Sequence, residues 1–192
     1  KPLHDGIATL RGLQPKLATA ADRDAVLGLE GAGAAAHYAA LTALFPPSLH
    51  FTGRNRRPPR DPVNACLSLG YTLLHFEAVR AAHGAGLDPL LGFYHEPAYG
   101  RESLACDLIE PLRPRLDGWV WGLFRERQLR EHNFVEDKGA CLLVKGGRQT
   151  FYAAYECWAP PLRRYLRREC YRLANWLSER APPLPEGGND ER

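Results

Sequence analysis

Residues 94–111, YHEPAYGRESLACDLIEP, gather His95, Glu96, Asp107 and Glu110 across a turn broken by Pro97 and Gly100. From about Glu102 to Glu110 the apolar residues fall at helical spacing, so Asp107 and Glu110, three apart, share one helix face. His95 lies just beyond the turn that feeds this helix, near enough in sequence to fold back over it. Oxygen ligands joined by one imidazole suit Mg²⁺ or Mn²⁺, and Mn²⁺ is the more tolerant of histidine. Such an ion activates a hydroxyl nucleophile and neutralises charge developing on a phosphodiester. The same residues also suit a polar loop that caps a helix, and spacing does not choose between the two readings.

A further carboxylate, Glu30, sits on a separate helix. Residues 21–45, ADRDAVLGLEGAGAAAHYAALTALF, carry apolar positions at helical spacing, an acidic first turn and Pro46-Pro47 as a stop. Gly28, Gly31 and Gly33 each weaken a helix by about 1 kcal/mol relative to Ala. Glycine also admits close approach of a backbone or ligand, a reason for three to surround Glu30.

The remaining elements follow from punctuation. Residues 46–61 form a Pro/Arg loop. Asp61-Pro62 supplies an N-cap and an N1 proline for a long helix ending near Gly84. Residues 84–101 are irregular. Pro111 and Pro114 kink or restart the chain into a Trp-rich helix over 115–128. GACLLVKGGRQTFYAAYE reads as a short hairpin around Gly146-Gly147 or as a loop entering a last helix that runs to about Glu179. The class is mainly α. Residues 1–19 read as a linker or the end of an upstream domain, 20–180 as a helical domain and 181–192 as a disordered tail.

An apolar share of 45% supports a real core and excludes a disordered chain. Net charge is only +3, but arginines cluster. Arg54, Arg56, Arg57 and Arg60 crowd the Pro-rich loop, and Arg163, Arg164, Arg167, Arg168 and Arg172 crowd one later segment. A guanidinium fork suits phosphate, and a solvated face explains the same clusters. Five cysteines with wide spacing and no CxxC pair argue against a zinc ribbon or disulfide scaffold, and suit a reduced cytosolic protein. No apolar run is long enough to span a membrane and no signal peptide opens the chain. The absence of any Met predicts a piece of a longer protein.

FTGRNRRPPRDPVNACLSLGYTLLHFE followed by GLDPLLGFYHEPAYGRESLACDLIEPLRP resembles the CRISPR-associated spacer integrases, the Cas-one family. LEGAGAAAHYAAL looks like that family's Glu-Gly helix, and GACLLVKGGRQTFYAAYE resembles its C-terminal pattern. Four segments in series cover roughly residues 20–175. The resemblance implies the helical C-terminal catalytic domain of a metal-dependent DNA endonuclease and integrase, found in the prokaryotic cytoplasm. In that family a 3′-hydroxyl of a short duplex attacks the repeat backbone. Position by position, Glu30 and His95 match the family's glutamate and histidine. Asp107 and Glu110 match its two later acids, with Glu110 the favoured ligand and Asp107 ligating or orienting. The resemblance thus implies Mg²⁺ or Mn²⁺ held by Glu30, His95 and Glu110. Arg54, Arg56, Arg57, Arg60 and Arg101 would meet DNA phosphates close to the site, and Arg163, Arg164, Arg167 and Arg168 would form a wider duplex track. Asn64 and Tyr71 fall on family positions, with helix-start and packing roles as the plain account, while Glu96 and His37 read as structural. The family's N-terminal β domain, which forms the homodimer and helps to bridge to a small companion subunit, has no counterpart in the twenty residues before the Glu30 helix. The competing expectation is a catalytically silent DNA-binding and assembly module.

Overall fold

The computed structural model describes residues 1–181, so the expected tail lies, save for Ala181, outside the described residues. The chain is mainly α, as its pattern predicts: α1 Pro2–Ala18, α2 Arg23–Thr42, α3 Pro62–Gly84, α4 Ser103–Ile109, α5 Arg113–Arg125, α6 Lys145–Trp158 and α7 Pro160–Ser178, with one hairpin of β1 Phe134–Asp137 and β2 Ala140–Leu143. It divides into two compact units: Lys1–Gly70 with Arg115–Ala154, and Tyr71–Pro114 with the chain from Tyr155 onward.

In the first unit, residues 2–18 form α1, which lies along α2. A Cβ at Gly6 would fall 2.8 Å from the Ala40 Cβ, so a glycine is what lets the two helices approach. The signal for α1 was present in the apolar steps Leu3, Ile7, Leu10 and Leu17 behind Pro2. Asp22 caps α2, its Oδ1 accepting from the Ala25 N–H at 2.8 Å. The core of this unit joins Phe45 to Phe51 and Phe124 edge-on, at 5.2 and 5.8 Å between ring centres, above buried Val63, Leu67, Leu116 and Val120.

Asp61 caps α3 as expected, accepting from the Asn64 N–H at 2.8 Å. Asn64 does more than close a helix start. Its amide donates to the Gly53 carbonyl at 2.8 Å, and its Oδ1 accepts from the Asn55 N–H and from Arg54 Nη1, both at 2.9 Å. The Pro/Arg loop is therefore pinned through one fully buried side chain.

The hairpin turns at Lys138-Gly139, not at Gly146-Gly147. Phe134 pairs with Leu143 and Asp137 with Ala140, and both turn residues take positive φ (50° and 78°), as a two-residue primed turn demands. Gly146 and Gly147 open α6 instead. A Cβ at Gly147 would sit 2.6 Å from the Asn133 carbonyl, so this glycine serves packing and not turning. Pro160-Pro161 separates α6 from α7, which ends at Ser178, one residue from its expected limit. In the second unit, Leu74, Ala78, Leu104, Leu108, Leu112, Leu162 and Leu166 are buried.

Candidate metal and nucleic-acid site

α4 is only seven residues long, yet it buries Ser103, Leu104, Ala105, Asp107, Leu108 and Ile109. Asp107 is the one charged residue among them, and the loop ahead of α4 folds onto its carboxylate. Oδ2 accepts from the N–H groups of Phe93 at 2.7 Å and Tyr94 at 2.9 Å. Oδ1 accepts from the His95 N–H at 3.0 Å and lies 2.6 Å from His95 Nδ1. The Asp107 side chain is 0% exposed while that of His95 is 25% exposed, so the pair runs from the interior outward. Gly92 is required for this fold-back: a Cβ there would meet the His95 carbonyl at 2.6 Å and Asp107 Oδ2 at 2.8 Å. On the far side of the turn, buried Ser103 donates to the Glu96 carbonyl at 2.9 Å, and Arg101 Nε donates to Ser103 Oγ at 3.3 Å. Arg101 Nη2 also donates to the Glu96 carbonyl.

Burial raises the pKa of the Asp107 carboxyl, but the N–H of Tyr94, the ring of His95 and the N–H groups of His95 and Phe93 outweigh it and hold it below its ordinary value. An ionised carboxylate only accepts, so the facing Nδ1 of His95 carries the proton and the lone pair of a neutral ring falls on Nε2. A carboxylate fixing one imidazole nitrogen so that the other can ligate is the usual outer arrangement of a metal-binding histidine.

Glu110 follows α4 in a short 3-10 turn, Glu110–Leu112, and accepts from Arg113 Nη1 at 2.6 Å. The Arg113 guanidinium also lies over the Tyr71 ring, 5.1 Å from its centre. Glu102, just ahead of α4, has its Oε2 3.0 Å from His75 Nε2 on α3. The His75 hydrogen bond lowers the Glu102 pKa and outweighs the opposing effect of burial. Spacing brought out His95, Asp107 and Glu110, but not Gly92, Ser103, His75 or Arg113, whose parts depend on which groups the turn presses together. Glu30 belongs to the first unit, on an exposed stretch of α2. A Cβ at Gly28 or Gly31 would meet nothing within 4 Å, and Gly33 lies against Leu10 and Leu13 of α1. Among the described residues no group of three or more His, Cys, Asp and Glu side chains is gathered to hold a metal ion.

The arginines separate into committed and open ones. Arg54 donates to Asn64 and, at 3.1 Å, to Ser68, and holds its loop. Arg163 is engaged by Glu77 at 2.7 Å and by Glu156 at 2.7 and 2.8 Å. Arg168 and Arg172 both meet Glu169, at 3.2 and 3.0 Å. Arg56, Arg57, Arg60, Arg164 and Arg167 are exposed. His37 binds buried Asp117 at 2.8 Å, a structural role. A groove of ≈ 530 Å³ runs between Phe93, Asp107 and Leu108 on one side and Tyr165, Arg172 and Trp176 of α7 on the other. No helix among the described residues is long and apolar enough to cross a membrane.

The sequence model of the family described as CRISPR associated protein Cas1 matches residues 1–157. The CRISPR-associated endonuclease Cas1 1 of Thermodesulfovibrio yellowstonii is 46% identical over 158 residues, covering 81% of this chain and 50% of that protein. A CRISPR-associated exonuclease Cas4/endonuclease Cas1 fusion of Geobacter sulfurreducens is 35% identical over 181 residues, covering 84% of this chain and 32% of that one. Among solved structures, a chain of a partial Cas6-RT-Cas1–Cas2 complex superposes with a TM-score of 0.84 at 26% identity, covering 93% of this chain and 57% of that chain. The chain thus spans half or less of the length of these two curated relatives.

Proposed function

The chain belongs to the CRISPR associated protein Cas1 family, and from that premise we propose that it is the catalytic part of a metal-dependent DNA endonuclease and integrase that inserts short DNA segments into a repeat array. The observation that carries this reading is the His95–Asp107 pair: a buried carboxylate fixes Nδ1 at 2.6 Å and points the lone pair of Nε2 away from itself. His95 Nε2 and Glu110 are the donors of the second unit, and the family resemblance assigns Glu30 as a further one. The donor set of one imidazole and carboxylates fits Mg²⁺ or Mn²⁺. When bound, the ion supplies positive charge to a phosphodiester under attack and lowers the pKa of a bound hydroxyl.

In the proposed reaction the oxygen of a DNA 3′-hydroxyl forms a new bond to a backbone phosphorus. The P–O bond to the existing 3′-oxygen breaks, and the proton lost by the attacking hydroxyl is matched by one gained at the leaving oxygen. With water as the nucleophile the same exchange is hydrolysis. Asp107 holds the imidazole in orientation throughout, and the exposed Arg56, Arg57, Arg60, Arg164 and Arg167 engage backbone phosphates of a duplex without reading its bases. A companion subunit and a second copy of the full-length protein are the proposed partners, in line with the Cas1–Cas2 assembly named for the solved relative.

The test is nicking of supercoiled DNA, and joining of a short duplex to a repeat target, with Mn²⁺. Wild type should do both, while Glu30→Ala and His95→Ala should lose the activity; wild-type rates in both variants would remove the site. The exposed arginines suit equally a second reading, a DNA-binding and assembly module without catalysis, which needs no metal. Calorimetry separates the two, since such a module takes up no saturable Mn²⁺.

A further inference from the structure

Glu110 is already engaged by a cation of this chain. Its Oε1 accepts from Arg113 Nη1 at 2.6 Å, and both side chains are half-buried, at 28% and 30% exposure. The guanidinium is held from a second side by the Tyr71 ring at 5.1 Å. Glu110 begins the 3-10 turn and Arg113 begins α5, with Pro111 between them, so the backbone sets the three-residue spacing and the pair does not depend on chance side-chain wandering.

A cation bonded to a Glu110 oxygen would sit about 2.0–2.6 Å from it, close to a guanidinium bonded to the same carboxylate. The two positive charges repel, and the repulsion is poorly screened at a half-buried site. One carboxylate therefore cannot serve both fully. We infer that Arg113 is the resident counterion of Glu110: it neutralises and orients this carboxylate in the metal-free protein, and gives it up when a divalent cation arrives. The Tyr71 ring already holds the guanidinium beside Glu110 and can go on holding it after the exchange. This regulates the same site and rests on the reading of Glu110 as a metal ligand. In this arrangement Arg113 sets a threshold cation concentration below which the site stays closed on itself.

The test is calorimetric titration of Mn²⁺ into the 192-residue chain, as wild type, Arg113→Gln, Arg113→Met, Arg113→Lys and His95→Ala, with thermal denaturation of each in chelator and in saturating Mn²⁺. Arg113→Gln and Arg113→Met should bind Mn²⁺ about tenfold more tightly, and Arg113→Lys close to wild type. In chelator Arg113→Gln should melt below wild type, and saturating Mn²⁺ should close the gap. An unchanged or higher Kd in Arg113→Gln overturns the counterion, since it leaves a purely structural pair or a residue that presents Glu110 to the metal. If Arg113→Gln does not fold, an unchanged or higher Kd in Arg113→Met overturns it equally. Binding that is lost in His95→Ala but unaltered by Arg113→Gln removes the counterion alone, whereas a wild type that takes up no saturable Mn²⁺ removes the metal reading and the counterion together.

Discussion

His95 Nδ1 lies 2.6 Å from Asp107 Oδ1, and the same carboxylate accepts the backbone N–H groups of Phe93, Tyr94 and His95. The histidine is therefore aimed by a group that also builds the turn carrying it. Its ring can be re-aimed only by giving up the bond to a carboxylate that the turn holds in place.

Asp107→Ala should destabilise by about 1–3 kcal/mol, because three backbone N–H groups and the His95 ring, all part-buried, lose one acceptor. Urea denaturation measures this. A loss below 1 kcal/mol would show that water takes over the carboxylate's role.

The depressed pKa of Asp107 predicts acid sensitivity. Its folded pKa lies below the unfolded value of about 3.9, so its contribution is fully present above that value and is lost as pH falls through the folded pKa. Stability of wild type should drop from about pH 5 downward more steeply than that of Asp107→Asn, which has no such charge to lose. Parallel profiles would contradict the assignment.

Two glycine substitutions should move stability in opposite directions. Gly92→Ala forces a Cβ to within 2.6 Å of the His95 carbonyl and 2.8 Å of Asp107 Oδ2, and should destabilise by about 1–3 kcal/mol. Gly28→Ala, inside α2 with nothing within 4 Å of the new Cβ, should stabilise by about 0.5–1 kcal/mol. Thermal melts of both variants check the pair.

Arg163 and Arg167, four residues apart on α7, should separate stability from DNA binding. Arg163→Ala breaks the contacts to Glu77 and Glu156 and should lower the melting temperature with little change in salt dependence. Arg167→Ala leaves the fold intact and should reduce the slope of log K against log salt by about 1, the signature of one lost phosphate contact. An unchanged slope in Arg167→Ala would place the duplex elsewhere.

Thiol labelling should follow burial. Cys157 is exposed, whereas burial pushes the Cys170 thiol up to about 11 and that of Cys66 well above its ordinary value. In native protein a maleimide should modify Cys157 and spare Cys66 and Cys170, as peptide mapping would reveal.

Much of the fold was legible because its signals are local. Asp61-Pro62 announces the start of α3, and Pro46-Pro47 follows the end of α2. Gly146-Gly147 reads as a hairpin turn or as a loop entering a helix, and it opens α6; the hairpin is marked instead by the positive-φ pair Lys138-Gly139 beside strand-like FVED. α1 was overlooked because its apolar steps are interrupted by Gly6, Gly12 and Pro15, and its packing on α2 is tertiary. At the site, residue types and spacing selected His95, Asp107 and Glu110. Their division of labour was not legible, since it depends on a 3-10 turn at Pro111 that hands Glu110 to Arg113 while Asp107 faces the loop.

The shared carboxylate has one more consequence. Three consecutive amide hydrogens, those of Phe93, Tyr94 and His95, exchange with solvent only when Asp107 lets go, and that same release frees the imidazole. Deuterium uptake at these three positions thus times the opening of the turn that carries the histidine. It can be read in a protein that is turning over nothing at all.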